Sequence, residues 1–80
     1  MIDVTARYFA AFREQVGAES ERITTSARTA AELFSELAER HGFADARVRC
    51  KVAINDELCD WETELTHGDE VLFFPPVAGG

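Results

Sequence analysis

The chain has 80 residues, 46% of them hydrophobic and 29% charged, with eight Lys and Arg against fifteen Asp and Glu. That length holds one small core, the apolar share is too high for a disordered chain, and no charge-free apolar run nears the roughly 20 residues that span a bilayer. Asp3, Arg7, Arg13 and Glu14 interrupt any signal-peptide core in the first 20 residues, so a small cytoplasmic domain without membrane contact is expected.

Ile2, Val4, Ala6 and Tyr8 alternate with Asp3, Thr5 and Arg7, which predicts a strand with one buried face. The next residues change to helical spacing, with Phe9, Phe12 and Val16 on one side and Gly17 as the stop. Residues 19–25 offer Ile23 as their one large apolar residue and read as an edge strand. Residues 30–41 form the strongest predicted helix. Thr29 and Glu32 suit a capping box, Leu33, Phe34, Leu37 and Ala38 make the apolar stripe, and Gly42 ends it. His41 falls in the last turn, where the macrodipole favours a cation.

Val48 to Ile54 reads as the next strand, with Cys50 in phase with Val48, Val52 and Ile54 and so a small buried hydrophobe. Asn55-Asp56 is a turn leading to a short strand at Leu58 and Cys59. Trp61 and Leu65 are expected to face the core, and His67-Gly68-Asp69 a tight turn in which His67 is no ligand. Val71 to Phe74 is the last strand. This order of segregated elements predicts an α+β fold, one sheet covered on one face by the long helix. The first and last strands, the most apolar, belong side by side at its centre.

All eight basic residues and eight acidic ones lie in residues 1–51, which are therefore neutral, whereas residues 52–80 carry seven acids and no Lys or Arg. This asymmetry argues against nucleic acid and suggests either a basic protein partner or a solvated acidic face. Cys50 and Cys59 have neither CxxC nor zinc-site spacing, and no metal site is expected.

The last ten residues, Val-Leu-Phe-Phe-Pro-Pro-Val-Ala-Gly-Gly, carry no side-chain charge. Pro75 and Pro76 offer no backbone N–H and block both sheet and helix, which divides the chain into a folded domain at 1–74 and a flexible tail at 75–80. Gly79-Gly80 makes a tip with no Cβ to obstruct a narrow tunnel, and it presents a terminal carboxylate. Once activated as a mixed anhydride with AMP, that carboxylate can be attacked by a sulfur donor to give a thiocarboxylate. The chemistry asks nothing of the chain's own side chains.

Phe9-Ala followed by Arg13-Glu14, Thr29-Ala-Ala-Glu32-Leu33, Val52-Ala-Ile-Asn55, Gly68-Asp69-Glu70-Val71 and the closing Phe74-Pro-Pro-Val-Ala-Gly-Gly80 occur in order along the chain. Together they resemble the small, sulfur-carrying subunits of molybdopterin synthase, which are ubiquitin-like β-grasp proteins. The resemblance implies a mixed sheet of about five strands with one main helix. It also implies that Gly80 is adenylated with ATP by an E1-like adenylating enzyme and converted to a thiocarboxylate. No permanently bound cofactor is implied. The tail of Pro75, Pro76, Val77, Ala78, Gly79 and Gly80 would then enter the large catalytic subunit of the synthase. There it gives sulfur to cyclic pyranopterin monophosphate for molybdenum cofactor biosynthesis, within a heterotetramer whose acid–base groups belong to the large subunit. Phe74 and Val77 would anchor the docked tail, with Phe9 and Arg13 near the same contact. A carrier for thiamin or another thio-product, and a ubiquitin-like interaction module or modifier, remain as alternatives.

Overall fold

The computed structural model describes residues 1–76. Strand β1 (Ile2–Tyr8) leads into helix α1 (Ala10–Val16), strand β2 (Ser20–Thr25) and helix α2 (Ala30–His41). A 3-10 turn at Arg47–Arg49 precedes β3 (Lys51–Ile54), β4 (Glu57–Cys59) and β5 (Glu70–Phe74). The strands form one sheet in the order β2-β1-β5-β3-β4. β5 runs parallel to β1 and antiparallel to β3, and the outer pairs β1–β2 and β3–β4 are antiparallel. The two most apolar strands are therefore central neighbours, as their composition required, and β2 is an edge.

The alternation in β1 buries Val4, Ala6 and Tyr8 on one face. That face meets Ala30, Leu33, Phe34 and Leu37 of α2, together with Phe12, Ile23, Val52, Val71 and Phe73. Trp61 and Leu65 pack against this core from its margin. The Thr29 hydroxyl accepts the Glu32 N–H at 3.2 Å, but the Glu32 carboxylate reaches past the cap to the Arg28 N–H at 2.8 Å. The reciprocal half of the predicted box is thus displaced by one residue. Gly42 closes α2 at φ 69°, a left-handed conformation that glycine adopts without penalty. The β3–β4 hairpin turns on Asn55 and Asp56 at φ 51° and 69°, the mirror-image turn that a two-residue loop requires.

Two expectations fail. Val48 is 87% exposed and sits in the 3-10 turn, so β3 begins at Lys51 and not at Val48. The cause lies on the partner strand: Lys51 pairs with Phe74, and beyond Phe74 come two prolines with no N–H to extend the ladder. The Cys50 N–H turns back to the Arg47 carbonyl instead, at 2.9 Å. Cys50 itself is buried as expected, and burial, reinforced by the charge of Asp45 and only partly opposed by Arg49, pushes its thiol above the ordinary range. The second failure is Phe9. It caps α1 with extended backbone and is 46% exposed, away from buried Phe12. Phe9 continues the alternation of β1, so it points to the sheet face opposite Tyr8. The chain then reverses through Ala10 at φ 48°, where a Cβ costs about 1–2 kcal/mol.

A polar cluster pins the far end of α2 to the sheet. Glu21 Oε1 accepts from the Tyr8 hydroxyl at 2.8 Å and lies 2.8 Å from His41 Nε2, while Arg40 approaches it at 3.9 Å. His41 thus has a specific carboxylate partner in addition to the helix terminus. Burial alone raises the Glu21 pKa, but the hydrogen bonds from His41 and Tyr8 and the charges of His41 and Arg40 outweigh it and hold the group below its ordinary 4.5. A carboxyl depressed in the folded state favours folding wherever both states are ionised, and that contribution fades as pH falls from about 4.5 through the lowered folded value. Urea melts between pH 7 and pH 3 should therefore show Glu21→Gln less stable than the parent at neutral pH. The gap should close on acidification; a gap that is constant with pH contradicts this account.

Candidate functional site

Because α2 covers one face of the sheet, the alternate residues of the central strands look out on the other. On β5 these are Leu72 and Phe74, flanking buried Val71 and Phe73. The register sets Leu72 beside Ala53, which faces Leu58 across the hairpin, and sets Phe74 beside Lys51. Phe9 packs edge-on to Phe74, with ring centroids 5.1 Å apart and planes at 78°. The result is an open groove of about 630 Å³ with a floor of Ala53, Leu58, Leu72 and Phe74, and with Pro75 and Pro76 along its margin. Leu58, 67% exposed, is its most prominent apolar side chain. Exposed apolar surface rimmed by polar residues is the kind that serves contacts with a protein, a membrane or a ligand.

The structure brings Phe9, Phe74, Pro75 and Pro76 to this one end of the sheet. Arg13 lies on α1 and forms an exposed ion pair with Glu19 at 3.4 Å; it does not line the groove. Val77, Ala78, Gly79 and Gly80 lie outside the described residues. Sequence reasoning passed over Leu58, Leu72, Lys51 and Arg49 as site residues. A signal for Leu72 was present, since four consecutive apolar residues from Val71 to Phe74 cannot all face one side of a strand. With a helix on one face only, Leu72 and Phe74 had to face outward.

The acidic surplus of the C-terminal third is not gathered at the groove. Asp69 is buried and holds Asn55 Nδ2 at 2.9 Å and the Thr66 N–H at 2.7 Å, tying the turn before β5 to the β3–β4 hairpin. Glu70 pairs with Arg7 at 3.1 Å, and Asp60 caps its own turn through the Glu62 N–H and the Thr63 hydroxyl. His67 accepts the Asp3 N–H at Nδ1, as befits a turn residue. Among the described residues no helix is long and apolar enough to cross a membrane.

A five-stranded mixed sheet folded over one long helix is the ubiquitin-like β-grasp architecture, and in this chain the central strand leads into two prolines. Within that class the chain belongs to the ThiS family, whose model matches residues 6–80. It is 36% identical over 76 residues to the molybdopterin synthase sulfur carrier subunit of Escherichia coli strain K12, an alignment covering 91% of this chain and 94% of that protein. A Pyrococcus furiosus protein described as molybdopterin converting factor, subunit 1, superposes with a TM-score of 0.78 at 32% identity, covering 96% of this chain and all of that one. A chain of the complex of subunits 1 and 2 of the Helicobacter pylori 26695 molybdopterin-converting factor matches at 32% identity and TM-score 0.68, with 99% of this chain and 100% of that one covered.

Proposed function

We propose that this chain is the sulfur carrier subunit of a molybdopterin synthase, with Gly80 as the atom-carrying end. The Gly80 carboxylate attacks the α-phosphate of ATP on an E1-like enzyme and displaces pyrophosphate. Sulfide-level sulfur from a donor then attacks the acyl carbon and displaces AMP, leaving a thiocarboxylate. The tail, with Val77 as an apolar anchor, delivers that sulfur to cyclic pyranopterin monophosphate inside the large subunit, in the cytoplasm: the sulfur bonds to the pterin, and water then hydrolyses the acyl–sulfur bond and restores the Gly80 carboxylate. This chain contributes the reagent and the docking surface; the acid–base groups belong to the large subunit. The observation that carries the reading is the continuity of β5 into Pro75-Pro76 and the uncharged Val77-Ala78-Gly79-Gly80 in a chain of the ThiS family.

The test is the intact mass of the chain after incubation with the activating enzyme, ATP and a sulfur donor. A gain equal to replacing one oxygen by sulfur, localised to Gly80 by fragmentation, is expected. Supplying large subunit and pterin substrate should then return the mass to its starting value. An unmodified chain beside an enzyme that activates another carrier would instead identify a β-grasp interaction module. A thiocarboxylate that the large subunit does not consume would identify a carrier for thiamin or another thio-product.

A further inference from the structure

The sequence holds fifteen acids, yet two of the three charged residues that line the groove are basic. Arg49 and Lys51, the last two basic residues of the sequence, line the groove at the Phe74–Pro75–Pro76 end. Asp56, the one acid lining the groove among the described residues, belongs to the β3–β4 turn at its other end. Arg7, Arg13, Arg40 and Arg47 each meet a carboxylate of this chain, at 3.1, 3.4, 3.3 and 3.9 Å. Arg22, Arg28, Arg49 and Lys51 make no ion pair among the described residues, and of these four only Arg49 and Lys51 line the groove. Their hydrocarbon stems can extend over the apolar floor, but heads drawn into a contact need carboxylates to offset the loss of water.

We propose that this end of the groove docks against a protein surface with an apolar centre and with carboxylates opposite Arg49 and Lys51. The two cations set the orientation in which the tail meets its target. This rests on the carrier reading, in which the large synthase subunit is the partner, and it reverses the expectation from net charge, which favoured a basic one. The field of the acidic chain as a whole repels an acidic surface, so attraction confined to the tail-exit end disfavours every other approach.

Calorimetry of the full chain with the large subunit, at low and high salt, tests the idea. The parent should bind, and bind less tightly as salt rises. Arg49→Glu/Lys51→Glu should bind about tenfold or more weakly at low salt, with the salt dependence lost or reversed. Arg49→Gln/Lys51→Gln should fall between them and respond little to salt. Both positions are exposed, so all three chains should melt alike. Unchanged or tighter binding by the charge-reversed chain, with the parent's salt dependence intact, overturns the proposal while leaving the carrier reading standing. Failure of the parent itself to bind the large subunit overturns both.

Discussion

A chain lengthened by a single alanine after Gly80 is expected to lose sulfur transfer while folding as before. The reacting carboxylate would move outward by about 3.5 Å, the length of one extended residue, and a Cβ would enter a tip that otherwise has none. Misplacing a reacting group by about 1 Å already costs on the order of 100-fold in rate, so single-turnover transfer should fall at least that far. Urea unfolding should agree with the parent within about 0.5 kcal/mol, because a residue added at a chain terminus carries little folding energy. Transfer at the parental rate would remove Gly80 from the reaction.

Neighbouring residues of β5 should respond in opposite ways. Phe73 is fully buried and stacks on Trp61 at 6.2 Å and Tyr8 at 6.3 Å, with Phe34 edge-on at 5.9 Å. Phe73→Ala should therefore cost about 3–5 kcal/mol, most of what a domain of this size commands. Denaturant melts should show a chain partly unfolded without denaturant. Leu72, one step earlier, faces the groove; Leu72→Ala should cost under about 1.5 kcal/mol of stability and instead weaken binding to the large subunit. A Leu72→Ala chain that unfolds like Phe73→Ala would show that Leu72 belongs to the core, and one that binds like the parent would show that the groove is not the docking face.

The elements most legible in the sequence were those whose pattern and boundaries agree. β1 has a clean alternation, α2 has a stripe bounded by Thr29 and Gly42, and β5 stops at a proline pair. Elements whose limits depend on a partner were not legible. Nothing local to Val48-Arg49-Cys50 says that the neighbouring strand has run out of N–H groups, so a correct alternation was extended three residues too far. Phe9 illustrates the same limit, since its spacing from Phe12 suits a helix and its spacing from Arg7 suits the outward face of a strand. Only the reversal at Ala10 decides for the strand. In the site, Phe74, Pro75 and Pro76 were visible because composition marks them. Lys51 became a site residue only when the register set it beside Phe74, Leu58 when it fell opposite Ala53, and Arg49 when the 3-10 turn brought it to the groove.

The placement of β5 also bears on how the molecule withstands load. The tail continues the middle strand of the sheet, which is bonded on both sides, parallel to β1 and antiparallel to β3. A pull along the tail, such as withdrawal from a narrow channel, acts along those two ladders and strains their hydrogen bonds together rather than one after another. Had the tail grown from the edge strand β2, the same tension could have peeled that strand away bond by bond. With β5 at the centre, such a pull is borne by a strand that has a neighbour bonded to it on each side.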